Sequence, residues 1–145
     1  DSLELDFSAG WLDAVFDDFI NEFGEDLSGR DQAHAPGYMY SIRAHWEKGP
    51  WSASLSADTK DEFYFSDRHA VRSDDHTLIN ASLSYQAESW GLTLWGRNLT
   101  DEDYFVRAFG SFGNDPRKFY VTEPYYQFGE PRILGLTLDL SIKGQ

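Results

Sequence analysis

Trp51-Ser52-Ala53-Ser54-Leu55-Ser56-Ala57-Asp58-Thr59-Lys60 alternates without a break, with Trp51, Ala53, Leu55, Ala57 and Thr59 on one parity and Ser52, Ser54, Ser56, Asp58 and Lys60 on the other. Successive side chains of a strand point to opposite faces, so this run predicts a strand with one apolar and one small-polar face. The period continues upstream, where Tyr38, Tyr40, Ile42, Ala44 and Trp46 alternate with Met39, Ser41, Arg43 and His45. Near the start, Leu3, Leu5, Phe7, Ala9 and Trp11 alternate with Glu4, Asp6, Ser8 and Gly10. Downstream, Thr77, Ile79, Ala81, Leu83 and Tyr85 oppose Leu78, Asn80, Ser82, Ser84 and Gln86, and Leu92 and Leu94 oppose Thr93, Trp95 and Arg97. The last run sets Leu134, Leu136, Leu138, Leu140 and Ile142 against Gly135, Thr137, Asp139 and Ser141. Six strands are predicted, with helix largely absent.

The connections are sorted by length. Residues 47–50, with a Gly-Pro pair, and 87–90 are tight, whereas 18–36, 66–76 and 110–124 are long. In an up-and-down meander, alternate connections lie at opposite ends of the sheet, so one end carries only short turns and the other only long loops. A soluble meander has no reason to sort its loops this way, and transmembrane barrels do. Trp46 and Trp51 flank the first short turn, and Tyr85 and Trp90 the second, as a membrane–water interface favours. The small polar face (Ser52, Ser54, Ser56, Ser82, Ser84, Thr137, Ser141) suits a water-filled lumen.

Composition narrows the field. The chain has 145 residues, 25 Asp+Glu against 12 Lys+Arg, a net charge of −13 and no cysteine. Phosphate affinity rests on Lys/Arg neutralisation, so a nucleic-acid partner is not expected. Disulfides, thiolate metal sites and thiol nucleophiles are excluded. No apolar run is long enough for a transmembrane helix. Asp1-Ser2-Leu3-Glu4 has neither a basic nor an apolar leader region, so the sequence reads as mature or as part of something longer. The charge is concentrated: residues 1–31 hold ten acids and Arg30 as one base.

Two segments resemble a known family. Leu92-Thr93-Leu94-Trp95-Gly96-Arg97-Asn98-Leu99-Thr100-Asp101-Glu102-Asp103-Tyr104 resembles the N-L-x-D-x-x-Y strand near the end of TonB-dependent outer-membrane receptors. Tyr125-Tyr126-Gln127-Phe128-Gly129-Glu130-Pro131-Arg132-Ile133-Leu134-Gly135-Leu136 resembles their closing strand, with its P-R-x-x-G-x-x-L pattern. The resemblance covers residues 77–142 and is compatible with 1–76. It implies an all-β, antiparallel, up-and-down transmembrane β-barrel segment: the last six strands of a barrel of about 22. Residues 1–145 would then be a carboxyl-terminal part of one receptor barrel domain, with the plug domain and its TonB box absent. The carboxyl end and short turns would be periplasmic and the long loops extracellular. The family commonly ends on an aromatic residue, whereas this chain ends Ile142-Lys143-Gly144-Gln145.

The implied function is energised uptake of a bulky solute, such as an iron–siderophore complex, with no enzymatic activity. The partners implied are the remaining strands and plug of the same receptor, outer-membrane lipid, TonB through the plug, and a small-molecule or metal-chelate ligand. The alternative is a small self-contained barrel, either a soluble lipocalin-like carrier or a short eight-stranded outer-membrane protein. No resident metal or cofactor is expected, and no nucleophile elbow, phosphate loop or metal-helix motif occurs.

Three constellations remain. Asp13, Asp17, Asp18, Glu22, Glu25, Asp26 and Asp31 could hold a hard cation, but without EF-hand spacing a solvated acidic loop is favoured. Within it, Phe16, Phe19, Ile20, Phe23 and Leu27 recur at helical spacing, consistent with a short amphipathic helix packed on neighbouring loops. Residues 104–128 hold nine aromatics with Arg107, Arg117 and Lys118 against Asp115 and Glu123. Arg107, Arg117, Lys118, Tyr120, Tyr125 and Tyr126 are the ligand-binding candidates, suited to an anionic, ring-bearing chelate. Cross-strand stacking between two long strands is the competing role for most of these rings. His34, His45, His69 and His76 are dispersed, and no paired ligand spacing is readable.

Overall fold

The structure is a computed structural model that describes residues 1–109, 115–121 and 123–141. Phe112, Ile142 and the residues after Ile142 lie outside the described residues, so the last strand is followed only to Leu140.

All six predicted strands form one antiparallel sheet. They are β1 (Ser2–Trp11), β2 (Tyr38–Lys48), β3 (Trp51–Lys60), β4 (His76–Gln86), β5 (Trp90–Arg97) and β8 (Ile133–Leu140), adjacent in that order. β6 (Phe105–Phe109) and β7 (Tyr125–Phe128) form a separate hairpin inserted between β5 and β8. The only helical element among the described residues is a 3-10 turn, Pro116–Lys118. The sheet is open, with β1 and β8 as its two edges.

Register keeps the two faces separate across the whole width. One row runs Leu5–Ala44–Leu55–Ala81–Gly96–Leu134 through all six strands. The adjacent row runs Glu4–His45–Ser54–Ser82–Trp95–Gly135, and another Ser2–Glu47–Ser52–Ser84–Thr93–Thr137. A slip of one residue between any two strands would mix these rows, so the alternation in sequence fixes the pairing. Hydroxyls on the polar face bond laterally, as in Ser41 to Asp58 (2.6 Å) and Ser84 with Thr93 (2.9 Å).

The apolar face is bare. Leu5 is 69% exposed, Leu55 53% and Leu140 67%, and no second layer covers them among the described residues. Aromatic groups mark both of its ends. Trp51, Tyr85 and Trp90 pack together beside the short turns, at 4.9 Å and 5.3 Å between ring centroids. At the other end Trp11 pairs with Tyr38, whose ring stacks on Tyr40 at 6.1 Å.

The sorting of connections holds. Residues 49–50 and 87–89 turn at one end, and 12–37, 61–75 and the described residues of 98–132 lie at the other. The long loops contain the buried hydrophobic core, which the sheet lacks: Phe63, Phe65 and Ala108, with Val71 and Phe105 against them. The helix expected from Phe16 to Leu27 does not form. The segment doubles back through bridges between Val15 and Asp31 and between Ile20 and Asp26. Asn21 Oδ1 accepts the backbone N–H groups of Phe23 and Glu25, and Gly24 and Gly29 take positive φ, so local polar geometry overrides the apolar period.

Candidate functional site

The loop end is built from three segments that lock to one another. Arg30, in the first long loop, donates to the carbonyls of Ser66 and His69 in the second. Glu22 pairs with Arg68 at 2.9 Å, Asp31 with Arg72 at 3.4 Å, and Asn21 Nδ2 donates to the Asp67 carbonyl at 3.1 Å. Tyr64 receives two guanidiniums on its ring, Arg30 at 3.9 Å and Arg72 at 4.4 Å. The acidic loop therefore spends part of its charge holding its neighbour. No cluster of three or more candidate metal ligands occurs among the described residues.

The third segment is the β6–β7 hairpin. Phe105 packs on Tyr126 at 4.5 Å and Phe128 at 4.9 Å, and Phe65 reaches Tyr126 at 6.1 Å. These rings join two loops and also stack across one hairpin. The hairpin is aimed by the segment that joins β5 to β6. Asn98, 3% exposed and at φ +48, accepts the Glu102 N–H and donates to the carbonyls of Glu102 and Glu130. Asp101 accepts the Arg132 N–H at 3.0 Å and pairs with its guanidinium at 3.2 Å. Tyr104 covers Gly129, where a Cβ would collide with the ring, accepts the Glu130 N–H, and stacks on His76 at 4.7 Å.

The six ligand-binding candidates lie on this hairpin but differ in availability. Arg117 is held by Asp115 at 2.8 Å, and Lys118 by Glu123 at 2.7 Å. These pairings lower the carboxyl pKa values of Asp115 and Glu123 and raise those of the two cations. Tyr125 donates its hydroxyl to Glu123 at 3.1 Å, and Tyr126, itself exposed, packs its ring on Phe105 and Phe65. Tyr120 is 68% exposed at φ +58. Arg107 lies over the Phe109 ring at 5.2 Å and has no carboxylate within ion-pair distance among the described residues.

No protein-family model matches the chain, and no solved structure matches it at a significant level.

The histidines separate by surroundings. His34 lies against Phe63 (5.5 Å) and Phe65 (6.4 Å), and burial, then Arg107 and Lys60, push its pKa below the usual 6.5. His69 accepts the Val71 N–H at Nδ1, and its pKa is lowered by burial and then by Arg30, against an opposing pull from Asp67. His45 sits near the short turns between Ser54 and Glu47. The sequence carried no direct signal for Arg30, Tyr64 and Arg72 acting together. The polar face opposite the bare leucines forms an open concavity of about 550 Å³ between Asp6, Arg43, Asn80 and Arg97.

Proposed function

We propose that the chain is a carboxyl-terminal portion of the β-barrel of a TonB-dependent receptor in a bacterial outer membrane, and that the receptor takes up a bulky solute such as an iron–siderophore complex. The observation that carries the membrane part of this reading is the apolar face, on which Leu5, Ile42, Leu55, Leu83, Leu94 and Leu136, one from each strand, stand exposed, and the receptor assignment follows the resemblance of residues 92–104 and 125–136. In water such a face is a liability over its whole area, whereas in hydrocarbon it is the solvated surface. Strands of 8–11 residues match the roughly 9–11 that a tilted strand needs to cross the bilayer core. Aromatic groups stand at both ends of the face, where the two interfaces would lie.

Open edges cannot persist in lipid, because unpaired backbone groups there cost several kcal/mol each. On this reading β1 and β8 pair with the remaining strands of the same barrel, the polar face lines the lumen, and the locked loops stand outside the cell. The work is capture and gating, with TonB acting through the plug and no covalent step. A soluble carrier would turn the leucine rows inward around a closed barrel of about eight strands, and six strands in an open sheet do not favour it.

Fractionation of cells producing the intact protein tests this. Retention in the outer membrane after alkaline washing, with a shift in gel mobility on heating, is the expected result. Recovery in the soluble fraction as a folded monomer without detergent would overturn it.

A further inference from the structure

On the polar face of the sheet most hydrogen-bonding groups are engaged by their neighbours. Asp58 accepts the Ser41 and Ser56 hydroxyls, Asn80 donates to Ser56 and accepts the Asn98 N–H, and His45 lies between Ser54 and Glu47. Three groups are left over. Arg43 makes no ion pair, hydrogen bond or ring contact among the described residues, although Asp6 stands opposite it in register. The Ser82 hydroxyl has no partner among them either. Trp95 commits Nε1–H to Thr137 at 3.1 Å and covers Gly135 with its six-membered ring, which leaves the other face of the indole open. Register brings the three together. Arg43, Ser56 and Asn80 share one row, which Arg97 continues because it follows Gly96, the partner of Ala81. The next row runs Ser54–Ser82–Trp95. Both rows line the same concavity of about 550 Å³, and Arg97 flanks the Trp95 ring at 5.7 Å from its centre.

We propose that this concavity binds an acidic oligosaccharide, a chain of two or more sugar rings bearing a carboxylate. Arg43 takes the carboxylate on its guanidinium fork, and the open face of Trp95 stacks on the C–H face of a pyranose ring. Between them, Ser82 and its row neighbour Ser54 meet the sugar hydroxyls. Arg43 on β2 and Trp95 on β5 stand three strand spacings apart, roughly 14 Å at about 4.8 Å each, which is more than one sugar ring fills. Neither carboxylate of the concavity lies between them. Asp6 is on β1, on the far side of Arg43 from Trp95, and Asp58 faces its two hydroxyls. An aromatic acid fits this wall poorly, because hydroxyl and amide groups, and no apolar side chains of this face, separate the cation from the indole. The concavity lies opposite the leucine face, out of reach of a lipid headgroup at either end of that face. The site belongs to the sheet itself and goes beyond the receptor reading, so its failure is read separately from the fractionation result.

The test is calorimetric titration of the intact protein, in a polyoxyethylene detergent that carries no sugar, with digalacturonate, maltose and salicylate. Digalacturonate should saturate. Maltose, which offers two rings without the acid, should bind more weakly by about tenfold or more, the scale of one charge-assisted hydrogen bond. Arg43→Gln should weaken digalacturonate by a similar factor and leave maltose unchanged; with no partner to lose, this variant should fold as the parent does. Trp95→Leu should weaken digalacturonate as well, and Lys48→Gln, which removes a cation at the short turn, should not. Failure of digalacturonate to saturate the parent protein would overturn the site, as would unchanged affinity in Arg43→Gln or equal affinity for maltose. A loss in Lys48→Gln equal to that in Arg43→Gln would overturn it too, by reducing the effect to general charge. Salicylate binding tighter than digalacturonate and dependent on Arg43 would replace the sugar by an aromatic acid and overturn the proposal.

Discussion

Asp101 closes on Arg132 through two contacts, accepting its backbone N–H at 3.0 Å and its guanidinium at 3.2 Å. Between β5 and β6 the ladder is interrupted, and this pair, with Asn98, ties the interruption to the strand opposite. Asn98→Ala removes three hydrogen bonds at a residue 3% exposed and places alanine at φ +48. We predict a loss of about 2–4 kcal/mol, combining unsatisfied buried groups with left-handed strain. Equilibrium urea unfolding in lipid vesicles checks it, and a loss below about 1 kcal/mol would show that the interruption tolerates slack.

The six strands and their faces were legible because a period of two is written directly in side-chain polarity, as Trp51 to Lys60 shows. The loop sorting was legible for the same reason, as the absence of that period. Loop structure was not. Phe16, Phe19 and Phe23 carry a helical spacing that Asn21 and Gly24 override by turning the chain between them. The pairing of Arg30 and Arg72 over Tyr64 joins residues far apart in sequence, and no local pattern announces it. Charge counting made 104–128 look basic, yet Asp115 and Glu123 neutralise Arg117 and Lys118 within the hairpin.

Gly135 faces Trp95 across β5 and β8, and a Cβ there would collide with the indole. The ring also donates Nε1–H to Thr137 at 3.1 Å, so it has a reason to stay. Gly135→Val should cost about 1–3 kcal/mol by overpacking. Trp95 fluorescence should shift with it. At Gly10 a Cβ would meet nothing within 4 Å, so Gly10→Val should leave stability unchanged within about 0.5 kcal/mol.

Acid should loosen the loops before it affects the carboxylate pairs. His34 and His69 both have pKa values below the ordinary 6.5, so the open state binds more protons than the closed one once pH falls below about 6.5. Their contribution is complete above that value and declines as pH drops toward the lowered pKa values. Asp115 and Glu123 have depressed carboxyl pKa values, and their contribution persists until pH falls below the ordinary 3.8 and 4.5. Amide protection in residues 61–75, taken relative to the intrinsic exchange rate at each pH, should therefore fall as pH drops below 6.5, with the sheet unaffected. His34→Gln with His69→Gln should flatten that dependence, and a dependence left intact would assign it to other groups.

Leu136 and Thr137 are adjacent in β8 but belong to opposite faces, Leu136 beside Leu94 and Thr137 beside Thr93. Arginine at the first position would enter hydrocarbon near mid-strand, at a cost of about 2–4 kcal/mol. At the second it would enter the water-lined face, giving up only the Trp95 hydrogen bond, at a cost of about 1 kcal/mol. Leu136→Arg should therefore lower the amount of heat-modifiable protein in the outer membrane several-fold, with Thr137→Arg close to the parent. A protein whose leucine rows lined a closed apolar interior would also reject Leu136→Arg, so a second pair is needed. Leu5→Trp and Leu94→Trp, each reconstituted in brominated lipid, should show added emission that is quenched, because a residue facing lipid meets the bromine and one facing an interior does not. Absence of quenching at both positions would turn the sheet's leucine face inward and end the membrane reading.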